Sequence, residues 1–354
     1  MQKLTSDIAP TPRERSDVYT LCLEAIDQAD TWLPGWFTLA NDPAKHPKFK
    51  DIYRDNLAEW LSWAFFNLPL ESVLQDESAI QELHEMINDF ENKFHIKLKE
   101  GYNEDVVAYR LTLDPLLAYH RPLAFYVLVL FLTNIFGFVC QFLWGMKRFG
   151  PENRSTIWSL MDPQQSPYPS SHIGPEKVPY WFRDGNRRKK PIVFIHGIGG
   201  GLMCYITLVA KLVTLDAPIF FIELPFVAMN CVEEVPTAQE TVRDIQQMLQ
   251  RHGCTDAVFV GHSLGTSVIS WAIKYIPKTS HHRHASNCSV TMPENTKVYL
   301  SEKDNIVNSL RVNDYLNRQG IDSAVMKGLD HASFLFHSTW KNEILMTINK
   351  YTSI

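Results

Sequence analysis

The chain has 354 residues, 45% of them hydrophobic, and a formal net charge of −5. It carries no long basic or acidic run, so nothing in it points to nucleic acid, and its length suits one α/β domain of ordinary size with an extension. The six cysteines (Cys22, Cys140, Cys204, Cys231, Cys254 and Cys288) are scattered without a C-x-x-C pair. That predicts buried thiols in a reducing compartment rather than a disulfide framework or a zinc site.

The N-terminus, MQKLTSDIAPTPRERS, is polar and lacks the apolar core of a signal peptide. Apolar residues at spacings of three and four predict helices over 51–66 and 78–94. Trp32, Trp36, Trp60 and Trp63 make this part rich in aromatic side chains, which are expected to pack in a core. The stretch PLAFYVLVLFLTNIFGFVCQFLWGM, 122–146, then runs without Asp, Glu, Lys or Arg. It is long enough to cross a bilayer, with Tyr126 and Trp144 near its ends where aromatic residues favour the interface. Arg121 on one side and Lys147 with Arg148 on the other leave its orientation unread. Proline and serine are frequent between 151 and 179, which predicts a linker.

From Val178 onward strands and helices alternate. Strands are expected at 178–184, 191–195, 219–224, 257–260, 297–301 and 323–326. Helices are expected at 203–215, 237–251, after Ser263, near 309–317 and near 341–351. Thr237 with Glu240 forms a capping box at the start of one of them. Such alternation predicts a mostly parallel sheet covered on both faces.

The chemistry concentrates at the ends of these strands. In VFVGHSLGTSV, 258–268, Ser263 stands between Gly261 and Gly265 where a strand meets a helix. A G-x-S-x-G turn there is a nucleophile elbow, with glycines where a side chain would clash. A serine nucleophile also needs a base, an acid and oxyanion donors. IVFIHGIGGG, 192–201, offers bare backbone after a strand, so Ile198 or Gly199 is expected to supply one oxyanion N–H and Leu264 the other. These glycines are not a phosphate cradle, because no P-loop lysine follows, and HGIGGGLM does not match G-x-G-x-x-G although Glu223 lies at a tolerable distance. Asp304 in KVYLSEKDNIV is the expected acid, with Glu302 as fallback and a helix N-cap as its other role. His331 in MKGLDHASFLF is the expected base, chosen from 13 histidines for its place after the last strand. His196 is expected to be structural, His262 to lie along the elbow, and His281, His282 and His284 to sit in a solvated loop. No cofactor and no metal are expected.

Through HGIGGG, GHSLG, SEKDNIV and LDHASFLF, residues 178–354 resemble the α/β-hydrolase superfamily, whose triad follows the same order of serine, acid and histidine. PYWFRDG, PIVFIHGIGGGLMCY and GLDHASFLF together also resemble a group of large fungal α/β hydrolases with a hydrophobic N-terminal segment. The chain then divides into a helical extension (1–115), a hydrophobic membrane-associated helix (116–150), a linker (151–177) and an α/β-hydrolase domain (178–354). The expected activity is hydrolysis of carboxylic esters, lipid-like ones, by a membrane-associated enzyme whose catalytic domain faces the cytosol. The alternatives are an inactive hydrolase-fold scaffold anchored to a membrane, or an acyltransferase or thioesterase using the same triad.

One departure is visible. The superfamily has a strand, and often a cap, between the nucleophile helix and the acid strand. Here only KTSHHRHASNCSVTMPENT, 278–296, is left for them, too short for a strand and its crossover. The acid strand is expected either to move next to the nucleophile strand, the cheaper solution, or to leave a gap in the sheet. Either would open an apolar surface around Ser263 and His331.

Overall fold

The computed structural model describes residues 10–115, 121–150, 177–230, 232, 235–275, 293 and 295–353. Most of the expected linker and most of 278–296, with His281, His282 and His284, lie outside them. The chain forms two compact units, Met1–His120 and Arg121–Ile354.

The first unit is mainly helical. Helix Pro12–Ala25, not expected from the polar N-terminus, starts with a capping box between Thr11 and Glu14. Helix Arg54–Leu61 runs on into a π-turn, Ser62–Phe66. Helix Glu77–Phe94 is capped by the Asp76 carboxylate, which accepts from Ser78 and Ala79. Strands β1 (Phe37–Leu39) and β2 (Val106–Ala108) pair antiparallel. The four tryptophans pack on one another, Trp36 to Trp60 at 5.2 Å and Trp32 to Trp60 at 5.5 Å between ring centroids. That is contact distance for aromatic rings, so the cluster is core and not an open cage.

The second unit is built on a mixed sheet. Its strands are β3 (Lys147–Phe149), β4 (Tyr180–Arg183), β5 (Ile192–Ile195), β6 (Ile219–Ile222) and β7 (Val258–Gly261), in spatial order β3-β4-β6-β5-β7. β5 pairs parallel with both β6 and β7, whereas β4 pairs antiparallel with both β3 and β6. The sheet is therefore mixed: β3, β5, β6 and β7 run in one direction and β4 in the other. Apolar runs identify buried strands, but they carry no mark of direction.

β5 and β6 are buried along their whole length. Phe194 and Phe221 face a core shared with helices Ile206–Leu212 and Ser338–Thr352, while Val193 and Phe220 face one shared with helices Ala238–Arg251 and Leu264–Tyr275. Helices on both faces explain why these strands read as unbroken hydrophobic runs.

The apolar segment belongs to this unit. Helix Leu123–Phe138 continues into a π-turn, Val139–Leu143, and Phe136, Cys140 and Met146 join the core around Phe194. The β3–β4 ladder then holds the chain that follows it. Helix Leu123–Phe138, its π-turn and β3 thus lie within the unit Arg121–Ile354.

β8 (Lys297–Ser301) and β9 (Asp322–Met326) make a parallel pair of their own. Among the described residues no strand pairs with the outer edge of β7, and β8 pairs only with β9. The acid strand has thus not moved beside β7, although that arrangement would leave fewer unpaired edges. Helix Ser338–Thr352 links the two sheets. Tyr299 of β8 bonds Thr347 at 2.7 Å, and the Lys190 N–H before β5 donates to the Thr352 carbonyl at 2.8 Å.

One histidine couples this fold to pH. His252 lies 3.9 Å from Phe182 and 5.1 Å from Phe149 between ring centroids. Burial pushes its pKa from 6.5 down to about 4, and Arg251 and Arg187 act in the same direction. The unfolded chain then binds the proton more readily. Stability present above pH 6.5 is lost as the pH falls towards about 4. His252→Gln should flatten that dependence, read as a smaller difference between urea midpoints at about pH 7 and about pH 5. An unchanged difference would refute the assignment.

Candidate active site

The turn after β7 carries Ser263 with φ of 54°, a left-handed conformation that costs a non-glycine residue on the order of 1–3 kcal/mol. Its neighbours explain why glycines flank it. A Cβ on Gly265 would stand 2.3 Å from the Ile195 carbonyl oxygen, and one on Gly261 would stand 2.7 Å from Ile269 Cδ1. The elbow can approach β5 only with bare backbone at these positions. Gly197 is in the same situation on the opposing loop, where a Cβ would meet Ser263 Cβ at 2.7 Å.

Helix Leu264–Tyr275 begins directly after Ser263, whose carbonyl accepts from the Thr266 N–H at 2.9 Å. Among the described residues, the Leu264 and Ile198 N–H groups have no hydrogen-bond partner. Gly199 is different: it donates its N–H to the Val227 carbonyl at 3.0 Å. Of the two expected alternatives, only Ile198 keeps a free donor. The glycine pattern alone could not separate them, because the loop after β6 supplies the competing acceptor.

His196 is buried, and its tautomer follows from its partners. Its Nε2 accepts from the Leu224 N–H at 2.9 Å, so Nδ1 carries the proton and donates to the Gly197 carbonyl at 2.8 Å. Burial holds its pKa below the usual range, against smaller opposing effects of the Gly197 bond and Glu223. It staples the loop after β5 to the loop after β6. Glu223 pairs with Arg148 at 2.7 Å and accepts from Trp181 Nε1 at 2.6 Å. Both partners hold its carboxylate within the fold.

Asp304 and His331 meet across the loops after β8 and β9. His331 Nδ1 donates to Asp304 Oδ2 at 2.7 Å. Asp304 Oδ1 accepts from the N–H groups of Ile306 and Val307 at 2.8 and 3.0 Å. Burial raises the Asp304 pKa, but these hydrogen bonds outweigh it and hold the carboxyl below its ordinary value. The cap of the following helix is Asn308, not Asp304. Glu302, the fallback acid, accepts from the Gly328 N–H at 2.7 Å.

With Nδ1–H given to Asp304, His331 Nε2 bears the lone pair of a base. That atom is buried and has no hydrogen-bond partner among the described residues. Ser263 and His331 therefore lie on facing loops without a direct bond. A catalytic hydrogen bond of this kind is often long until substrate is bound.

His262 and Tyr205 were not expected to matter. The Gly197 N–H donates to the Tyr205 hydroxyl at 3.0 Å, and that hydroxyl meets His262 Nδ1 at 2.7 Å. His262 Nε2 lies 3.0 Å from the His331 carbonyl oxygen. Tyr205 gave no signal in the sequence beyond its place after the glycine loop.

A small cleft lies beside this loop, lined by Thr133, Phe136 and Gly137 of the apolar helix and by Gly200, Gly201 and Leu202. Ser263 does not line it. Among the described residues no cluster of His, Cys, Asp and Glu could hold a metal ion.

No family model matches the chain, and no curated protein matches it. Solved structures similar to it include a CIB-like hydrolase from Thermoplasma acidophilum, at 12% identity over 49% of this chain and 92% of that one, with a TM-score of 0.38. A carboxylesterase structure from Nitrososphaera gargenis is similar at 16% identity over 53% of this chain and 99% of that one, with a TM-score of 0.38. Carboxylesterase CesB from Bacillus subtilis is similar at 11% identity over 62% of this chain and 97% of that one, with a TM-score of 0.41.

Gly265→Ala tests the close approach at the elbow. It should lower the thermal midpoint by the equivalent of about 1–3 kcal/mol, because backbone and not a flexible side chain is in the way. Gly35→Ala, with no atom within 4 Å of the added Cβ, is the neutral control. Equal midpoints for the two variants would overturn this account of the turn.

Proposed function

We propose that the chain is a serine hydrolase of the α/β-hydrolase type that cleaves carboxylic esters, lipid-like ones, through an acyl-enzyme. One observation carries the reading. A serine in a left-handed elbow follows His262, whose Nε2 lies 3.0 Å from the carbonyl oxygen of a histidine that has its Nδ1–H held 2.7 Å from a carboxylate. Ser263 Oγ attacks the ester carbonyl as its proton passes to His331 Nε2. The Ile198 and Leu264 N–H groups stabilise the oxyanion. Collapse expels the alcohol, which takes the proton from His331, and leaves the acyl group on Ser263. Water then attacks the acyl-enzyme, gives its proton to His331, and releases the acid with Ser263 restored. Asp304 keeps His331 in the required tautomer and stabilises its charged form. A thioester, or an alcohol in place of water, could use the same residues.

A fluorophosphonate probe should label the wild type and not Ser263→Ala. Asp304→Asn should lower kcat on a p-nitrophenyl ester by on the order of 10³–10⁴-fold, because the tautomer is lost. Labelling that survives Ser263→Ala unchanged would refute the mechanism. The second reading is an inactive hydrolase-fold scaffold, favoured by a His331 Nε2 without a partner and by two sheets without a shared ladder among the described residues. A folded wild type with neither turnover nor labelling would select it.

Membrane association belongs to the same proposal. Leu123–Leu143 is long and apolar enough to cross a bilayer, and most of its side chains are exposed. Its buried residues Val129, Phe136, Gly137 and Cys140 recur along one stripe, whereas Leu128 and Phe131 are among those exposed to the outside. Ile198, 72% exposed, and Phe336, 82% exposed, add apolar surface on the loops that carry the site. Apolar surface of this kind beside the site would select weakly for acyl-chain length. In this reading the catalytic domain faces the cytosol, in keeping with its scattered cysteines. The protein should sediment with membranes and resist carbonate extraction, and Leu128→Lys with Phe131→Lys should release it. Recovery of the wild type as a soluble monomer without detergent would overturn this part.

A further inference from the structure

The five-stranded sheet carries the oxyanion loop and Ser263, while the β8–β9 pair carries Asp304 and His331. Among the described residues no strand hydrogen bonds join the two sheets. A serine and its base must nonetheless be aligned to within a fraction of an ångström across this seam. Helix Ser338–Thr352 ties the sheets together at a distance from the site. Side chains must do so at the site itself.

His262 is placed to do this. A carbonyl oxygen only accepts, so the 3.0 Å contact with the His331 carbonyl requires the proton on His262 Nε2. His262 Nδ1 is then an acceptor and takes the Tyr205 O–H at 2.7 Å. The Tyr205 oxygen in turn accepts the Gly197 N–H at 3.0 Å. The chain of bonds has one direction: Gly197 N–H to Tyr205 O–H to His262 Nδ1, and His262 Nε2–H to the His331 carbonyl. Every member is satisfied, and the ring is further held by Phe334 at 5.1 Å and by the His331 ring at 5.0 Å between centroids. It starts at the loop after β5, passes through the turn after β7 and ends on the loop after β9.

We propose that His262 is a positioning residue, which with Tyr205 sets the backbone of His331 in register with Ser263 and the oxyanion loop across the seam between the two sheets. His262 touches no reacting atom in this scheme. It acts through the His331 peptide. Burial lowers its pKa, with the His331 contacts and Asp304 adding smaller effects of both signs, so the neutral ring that the bonding pattern requires is the favoured form.

The proposal rests on the ester-hydrolase reading for its kinetic readout, and a second readout is independent of activity. In the detergent-solubilised full chain, the imidazole ¹⁵N–¹H spectrum should show His262 as the Nε2–H tautomer, with the Nδ1 resonance moving in Tyr205→Phe. On a p-nitrophenyl ester, His262→Leu should lower kcat by roughly 100-fold with KM changed less than about threefold, the size expected for a misplaced base. His262→Gln can accept from Tyr205 and donate to the His331 carbonyl, so it should recover most of that loss. Tyr205→Phe combined with His262→Leu should cost little more than His262→Leu alone, because both act through one chain of bonds. An Nδ1–H tautomer, or a His262→Leu enzyme with wild-type kcat, overturns the proposal. If the wild type shows no turnover, the ester-hydrolase reading fails by itself, and the tautomer with its response to Tyr205→Phe decides whether the network exists.

Discussion

The parallel pairing of β5 with β7 is the contact from which the site is built. It brings the end of one strand, Ile195, beside the end of the other, Gly261. The His262 N–H donates to the Ile195 carbonyl at 3.2 Å, so the ladder runs into the elbow itself. At that spacing a Cβ on Gly197 or Gly265 would collide with the neighbouring backbone or with Ser263. The loop after β5 and the turn that carries Ser263 are thereby held edge to edge. The left-handed Ser263 is tolerated because the ladder and the helix after it leave the chain no other path.

Beyond β7 the physical basis changes. Within the five-stranded sheet, backbone hydrogen bonds set the position of every strand relative to its neighbour. Between that sheet and the β8–β9 pair, among the described residues, alignment passes to side chains and to helix Ser338–Thr352. Half-burial of β7 and β8, against complete burial of β5 and β6, reflects the same change. A seam held by few groups makes each of them matter more than a group inside a continuous ladder, where neighbouring bonds share the load.

Local signals were legible where the chemistry is local. Thr237 and Glu240 announced the start of Ala238–Arg251, and the apolar run with glycines around Ser263 announced a strand, a tight turn and a helix. Asp304 and His331 could be placed after their strands, and the structure joins them by a hydrogen bond. Other features left no local trace. β3 is too short and too polar to be read as a strand, and it exists because β4 offers an edge. The donor of Gly199 is spent on Val227, which lies in another loop. Cys140 and Phe136 read as part of a uniformly apolar segment, yet they face a core that only the folded sheet creates.

What the sequence alone determined is therefore the type and order of most elements from Val178 onward, the turn that holds Ser263, and the strand ends that present Asp304 and His331. Each of these depends on residues a few positions apart, through periodicity, capping and the steric freedom of glycine. Only the tertiary structure decided the direction of β4, the split into two sheets, the loss of Gly199 as a free donor, and the path from Gly197 through Tyr205 and His262 to His331. Those depend on partners far apart in the chain. A hydrogen-bonding group has one pattern in the sequence and many possible partners, and packing selects among them.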